Sequence, residues 1–437
     1  MSLAFSVQPG GRLHGRIHVP GDKSISHRAI MLGALAEGVT DVTGFLNGED
    51  CLRSIQAVKA MGVDIQQQGE TTLQIHGVGL KGLRAPAGNL DLGNSGTSLR
   101  LMAGILSGQS FDSVLTGDSS LCRRPMQRIT VPLTQMGARI EATPQGTAPL
   151  RIHGGQALQA IDYVLPMASA QVKSCLLLAG LYAQGETTIT EPARSRDHTE
   201  RMLTGFGYAV GRNGGRVSLR GGGRLQARPL AVPGDISSAA FFLVGAAIVP
   251  GSELVIENVG INPTRTGVIE ILRLMGTVIE VLDAREAGGE PVADLRVRGQ
   301  GLKGIRIPEA LVPLAIDEFP AIFIAAACAE GETRLTGADE LRVKESDRIA
   351  VMAAGLKVLG IDSEPTPDGI RIQGGALARG RINSHGDHRV AMAFAIAALR
   401  AGGPILIDDC ANVDTSFPGF ATLAARAGLA IGTRASE

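Results

Sequence analysis

Two cations and a hydroxyl crowd one short stretch of the chain. Lys23, Ser24 and Arg28 follow the turn Val19-Pro-Gly-Asp22 and open an otherwise apolar segment, His27 to Ala36. Asp22 is placed to cap a helix that starts there. A helix N-terminus favours anions through its free N–H groups and its dipole. Lysine and arginine at the same end suit a ligand with more than one negative charge. A capped helix with a solvated, charged first turn accounts for the same residues. Leu92-Gly-Asn-Ser-Gly-Thr-Ser98 places small residues before another helix. Such a loop lets backbone come close to a ligand, or simply turns the chain. It is neither a Walker loop nor a dinucleotide fingerprint.

Stepping along the chain, the elements that must hold these residues form an internal repeat. A helix, a Gly and a strand recur six times, beginning near His27, Ser98, Val172, Ala239, Phe319 and Arg389. Each copy continues through a loop into a second helix that ends near a Gly, and a Gly-turned pair of strands precedes each first helix. The copies are about 70 residues long, a period that usually means a solenoid or propeller, although six units can also form two globes of three. First helices such as AAFFLVGAA and FPAIFIAAACA are apolar nearly all round and belong inside a core. The second helices are amphipathic.

Val19-Pro-Gly-Asp-Lys-Ser24 is echoed by Val232-Pro-Gly-Asp-Ile-Ser237. Both are read as crossings between two globes, one holding residues 21–233, the other 1–20 plus 234–437, with a ligand cleft between them. The copies also show what the fold alone requires. A potential cap stands before every first helix: Asp22, Asn94, Ser169, Asp235, Asp317 and Asp387. Capping gives no reason for Lys23 and Arg28, which face Ile236 and apolar residues in the fourth copy. Further cations stand at equivalent places: Arg100 and Lys173 in first turns, Arg389 in the sixth copy, and the loops 121–128, 194–201 and 341–348. If these converge they repel one another without a polyanionic ligand, which implies phosphates and carboxylates on more than one molecule.

Composition narrows the class. Lys+Arg and Asp+Glu both number 42, which argues against general nucleic-acid binding. Five widely spaced cysteines without a C-x-x-C pair suggest neither a disulfide framework nor a zinc site and fit a reducing compartment. Met1 to Gly10 lacks a signal-peptide pattern, and no apolar run reaches the roughly 18 residues of a membrane span. A cytoplasmic monomer is expected.

The set PGDKSISHR, LGNSGTSLR, Arg124-Pro125, Ser169-Ala-Gln171, IDEFP, LRVKESDR and GDHR resembles the 5-enolpyruvylshikimate-3-phosphate synthase family, in order and nearly end to end. The resemblance implies an α/β fold of two globular domains, each three copies of a strand-helix-strand-helix-strand repeat with helices packed inside sheets, like an inverse α/β barrel. It implies transfer of the enolpyruvyl group of phosphoenolpyruvate to the 5-hydroxyl of shikimate 3-phosphate, with no cofactor or metal. By motif, Lys23, Ser24, Arg28, Ser169, Gln171, Arg196, Asp317 and Lys344 are expected to hold shikimate 3-phosphate. Lys23, Gly96, Arg124, Gln171, Arg348 and Arg389 are expected to hold phosphoenolpyruvate. Asp317, Glu345 and Lys23 are the candidate acid–base groups, and the first step needs Glu345 protonated.

The chain departs from the enterobacterial and plant pattern at Val413-Asp-Thr-Ser-Phe-Pro418, which lacks a Lys, at Ala170, at Arg196-Asp-His198 and at Glu340. The closest rival is the sister enzyme acting on UDP-N-acetylglucosamine, which uses a loop Cys. Cys122 lies in a comparable loop, but it directly precedes Arg123-Arg124, and KSISHR and LRVKES favour shikimate. A non-catalytic anion-binding protein on the same scaffold is the rival from another class.

Overall fold

The computed structural model describes residues 3–435. The chain is a mixed α/β structure whose strands form six small sheets among the described residues. Its α-helices are α1 Lys23–Leu35, α2 Glu49–Ala60, α3 Gly96–Leu106, α4 Gln127–Gln135, α5 Ala170–Gly180, α6 His198–Gly205, α7 Ile236–Ile248, α8 Gly267–Leu274, α9 Phe319–Ala327, α10 Arg348–Val358, α11 His388–Ala397 and α12 Phe420–Ala427. No helix of the described residues is long and apolar enough to cross a membrane.

Two compact units divide the chain. One is Gly21–Val232 with Ala287–Glu290; the other takes the described residues up to Pro20, Pro233–Glu286 and those from Pro291. The short segment Ala287–Glu290 was not legible as part of the first unit. It joins through Glu290, whose Oε1 lies 2.7 Å from His198 Nδ1, both buried.

Five of the six sheets repeat one order, and the fifth copy's sheet, Glu332–Leu335, Gly369–Gln373 and Ser363–Thr366, is three-stranded. In the first, Leu230–Ala231 runs parallel to Glu37–Thr43, which is antiparallel to Leu73–Val78, with Asp64–Gln67 on the far edge. The same pattern puts His14–His18 parallel to Glu253–Gly260 in the fourth copy's sheet. In the sixth, Leu3–Val7 lies between Ile405–Asp408 and Ile431–Ala435. The expected Gly-turned strands do precede first helices, as Leu73–Val78 and Leu90–Asp91 precede α3. The two strands of such a pair belong to different sheets, and the glycines turn the chain from one sheet into the next. A Gly cluster signals a turn equally in either case.

The first helices are buried as their composition requires. Every residue of α7, α9 and α11 is buried, and their large apolar side chains share one cluster of the second unit. Phe5 from the N-terminal strand joins Phe417 and Phe420 there, its ring 6.0 Å from Phe420. In the first unit α1, α3 and α5 share the other cluster. Caps form on Asp22, Ser169, Asp235 and Asp387, as the repeat suggested. The other two expectations fail. Ser95 rather than Asn94 caps α3, because its hydroxyl reaches the Ser98 amide at 3.2 Å. Helix α9 starts two residues beyond the expected cap: Glu318 is its N-cap and makes no side-chain cap bond, so capping does not account for Asp317.

Helices α3 and α5 approach so closely that a Cβ on Gly104 would lie 2.2 Å from the Cys175 carbonyl oxygen. Gly104→Ala is expected to destabilise the fold by about 1–3 kcal/mol through overpacking, despite the better helix propensity of alanine. Urea unfolding measures it; an unchanged midpoint would contradict the close approach.

Candidate active site

The buried helices of the first unit leave few positions open. In α1 only Lys23 and Ser24 are not buried, in α3 only Thr97 and Arg100, and in α5 only Ala170 and Gln171. Lys23, Ser24, Thr97, Ala170 and Gln171 lie in the first two residues of their helices, where unsatisfied amides favour anions, and Arg100 stands one turn further along α3. Gly96 opens α3. A Cβ there would stand 2.7 Å from Arg100 Nη1 and 3.2 Å from Arg124 Nη1, so glycine keeps two guanidinium groups close to the helix end. Gln171 joins α5 to α3, accepting from Arg100 Nη1 at 2.8 Å and donating to Thr97 Oγ1 at 3.0 Å. Arg124 Nη2 donates to Asn94 Oδ1 at 2.6 Å. Ser169 caps α5 through the Val172 amide. Gly96, Arg124 and Gln171 thus come together around α3, with Arg100, Thr97 and Asn94 as partners not assigned from the sequence.

Lys23 Nζ lies 3.0 Å from Asp50 Oδ2, on α2. Arg28 is buried and donates to Thr199 Oγ1 at 2.6 Å, Ser174 Oγ at 2.8 Å and the Ser24 carbonyl at 2.9 Å. Burial pushes its guanidinium down to about 10, with Glu200 and Asp22 pulling the other way, so it stays charged at neutral pH. Arg196, on the loop before α6, is close enough for its charge to act on Arg28. Lys173 is different. It is buried between Glu191 at 2.9 Å and Glu200 at 2.7 Å, an internal ion pair rather than part of a ligand-facing cation group.

In the second unit Arg348 gathers the acids. Its Nε meets Asp387 Oδ2 at 2.8 Å, Nη1 meets Asp317 Oδ1 at 3.4 Å and Nη2 meets Glu345 Oε2 at 2.7 Å. Burial disfavours its charge, but the carboxylates of Asp387, Glu345 and Asp317 outweigh this and hold its proton more firmly than usual. Lys344 Nζ lies 3.5 Å from Asp317 and 2.7 Å from Glu340. Glu340, one of the departures from the family pattern, therefore shares Lys344 with Asp317. Arg389 is the second residue of α11, its amide bound to the Asp387 cap at 2.9 Å. The expected mutual repulsion of the cations is not what the structure shows: Lys23, Lys173, Lys344 and Arg348 each hold a carboxylate. Glu340 and Glu345 stand within one helical turn of Lys344 and Arg348, but Glu191, Asp50, Asp317 and Asp387 lie 18 to 39 residues from the cations they meet, beyond what spacing reveals.

Beneath Lys23, His27 links three helices. Its Nδ1 lies 2.9 Å from Ser54 Oγ on α2 and 3.2 Å from Ser98 Oγ on α3, and its Nε2 lies 3.4 Å from Ser95 Oγ. Burial, then the charges of Lys23 and Arg28, push the imidazole well below its ordinary value. The unfolded chain takes up this proton near pH 6.5 and the folded chain does not, so stability falls as pH drops through that value. The slope is at most one proton, about 1.4 kcal/mol per pH unit. Removing the imidazole in His27→Phe is expected to flatten the stability profile between roughly pH 6.5 and 5 by up to that amount. Denaturant unfolding at several pH values checks this, and parallel profiles for the two proteins would refute it.

The family model of EPSP synthase (3-phosphoshikimate 1-carboxyvinyltransferase) matches residues 7–423. A 3-phosphoshikimate 1-carboxyvinyltransferase of Methylococcus capsulatus is 66% identical over 429 residues, 98% of each chain. One of Alkalilimnicola ehrlichii is 66% identical over 430 residues, 98% of this chain and 96% of that one. The solved EPSP synthase structure from Acinetobacter baumannii superposes with a TM-score of 0.89 at 59% identity, over 99% of this chain and 100% of that one. With capped, cation-bearing helix ends in one unit and paired acids in the other, the chain belongs to the EPSP synthase family.

Proposed function

We propose that the chain transfers the enolpyruvyl group of phosphoenolpyruvate to the 5-hydroxyl of shikimate 3-phosphate, releasing phosphate on the route to chorismate and the aromatic amino acids. The observation that carries the reading is the acid pair Asp317 and Glu345, which Arg348 gathers at 3.4 and 2.7 Å in a chain of this family. The reaction adds the hydroxyl to C2 of phosphoenolpyruvate while a proton goes to C3. The tetrahedral adduct then loses a proton from the new methyl group, and phosphate leaves. Each step moves a proton next to developing negative charge, which positioned acids and fixed cations serve.

The residues divide by task. Lys23 meets both substrates. Gly96, Arg124, Gln171, Arg348 and Arg389 hold phosphoenolpyruvate; Ser24, Arg28, Ser169, Gln171, Arg196, Asp317 and Lys344 hold shikimate 3-phosphate. Arginine suits these tasks because its planar fork grips phosphate and carboxylate bidentately. Asp317 and Glu345 exchange the protons. In this reading each unit is three repeats with helices inside sheets. The enzyme is read as a cytoplasmic monomer.

A phosphate-release assay tests the reaction. Release should require both phosphoenolpyruvate and shikimate 3-phosphate; turnover with UDP-N-acetylglucosamine alone as acceptor would overturn the reading. Glu345→Gln and Asp317→Asn are each expected to bind both substrates in titration calorimetry and to lose at least about 100-fold in kcat. Turnover at the wild-type rate would remove them from the acid–base roles. Gly96→Ala pushes on Arg100 and Arg124 and is expected to raise KM for phosphoenolpyruvate about tenfold, with KM for shikimate 3-phosphate within about twofold. Equal changes in both constants would count against the assignment of α3 to phosphoenolpyruvate.

A further inference from the structure

Within the first unit, Ser95, Ser98, Ser54 and His27 form a closed ring of buried polar groups. Oγ of Ser98 lies 2.6 Å from Ser54 Oγ and 2.8 Å from Ser95 Oγ, and the imidazole closes the circuit through its two nitrogens. With the ring proton on Nε2, every hydrogen finds an acceptor. Nε2–H donates to Ser95, Ser95 to Ser98, Ser98 to Ser54, and Ser54 back to Nδ1. This tautomer is inferred from the network. A doubly protonated imidazole would break the circuit, because Nδ1 could no longer accept. The neutral ring that burial and its cationic neighbours impose is the form the circuit needs.

The position of this ring matters more than its chemistry. His27 stands one turn after Lys23 on α1, and Ser54 one turn after Asp50 on α2, so the His27–Ser54 contact repeats the Lys23–Asp50 pair one turn deeper. On the other side Ser95 caps α3 and directly precedes Gly96. The circuit therefore ties the first turn of α3 to the helix that carries Lys23. A fully satisfied buried network fixes one geometry, since any shift leaves a buried polar group without its partner.

We propose that His27 is a positioning residue for phosphoenolpyruvate: through Ser95 and Ser98 it holds the N-terminal turn of α3, with Gly96 and Arg100, at a fixed place relative to Lys23. The inference rests on the reaction given above. It concerns α3 in particular. The shikimate 3-phosphate contacts assigned to this unit lie on α1, at the start of α5 and on the loop before α6; among them Gln171, assigned to both substrates, meets α3 through Arg100 and Thr97 rather than through the circuit's own members.

The test is steady-state kinetics of the full chain with each substrate varied in turn. His27→Phe keeps a ring but removes both nitrogens. It is expected to raise KM for phosphoenolpyruvate about tenfold while KM for shikimate 3-phosphate stays within about twofold. If three hydroxyls facing a phenyl ring prevent folding, Ser98→Ala carries the test. It removes the hub hydroxyl, keeps the Ser95 cap and adds helix propensity, and should raise KM for phosphoenolpyruvate about threefold. A merely structural role would lower the melting temperature or the active fraction without moving one KM selectively. The inference fails if, in the folded variant, KM for phosphoenolpyruvate stays within about 1.5-fold of wild type or both constants rise together. Wild-type protein inactive with this substrate pair would instead sink the reading of the reaction.

Discussion

A helix buried on all sides can meet a ligand only at its ends, and the rest of the structure follows from that constraint. In α1, α3 and α5 the residues that escape burial are Lys23 and Ser24, Thr97 and Arg100, Ala170 and Gln171. All but Arg100, which stands one turn further in, lie at an N-terminal end, where the backbone offers unpaired donors. The apolar composition that drives the helices inward thus also fixes where chemistry can be placed. Capping by Asp22, Ser95 and Ser169 satisfies part of each end and leaves the remainder to a ligand. The same device recurs on α7 and α11, where Asp235 and Asp387 cap.

Charge is handled by pairing rather than by accumulation. Lys23 is held by Asp50, Lys344 by Glu340 and Asp317, and Arg348 by three carboxylates. An ionised group that is largely out of water costs several kcal/mol unless it is paired, so these partners make a cation-rich site tolerable without ligand. They also hold the side chains in place. In the proposed reaction an arriving phosphate or carboxylate would meet oriented donors and compete with a resident acid. For Arg348 the exchange is the most constrained, because its guanidinium is buried and Asp387 beside it is fully buried. Arg348 thereby serves the geometry of Asp317 and Glu345 as much as any substrate.

Much of this was legible in the sequence because it is local. The helix repeats, the apolar helices and most caps follow from residue type and spacing within one turn. Asn94 and Ser95 are both good caps one residue apart, and only backbone geometry chooses between them. For the Gly-turned strand pairs the spacing leaves the sheet partner open, because a glycine turn reads the same whether the chain doubles back or enters the next sheet. Lys173 looked like its neighbours in the repeat, but Glu191 and Glu200 turn it into an internal pair, and nothing near position 173 announces them. His27 stood inside a motif already explained by Lys23 and Arg28. Its partners Ser54, Ser95 and Ser98 come from two other helices, so its role depends on packing.

The proposed reaction depends on the open end of α1, where Lys23 is assigned to both substrates. Steady-state kinetics of Lys23→Met, with each substrate varied in turn, measure this directly. The expected result is a loss of at least about 100-fold in kcat/KM for each substrate. Retention of the wild-type value for either substrate would contradict it.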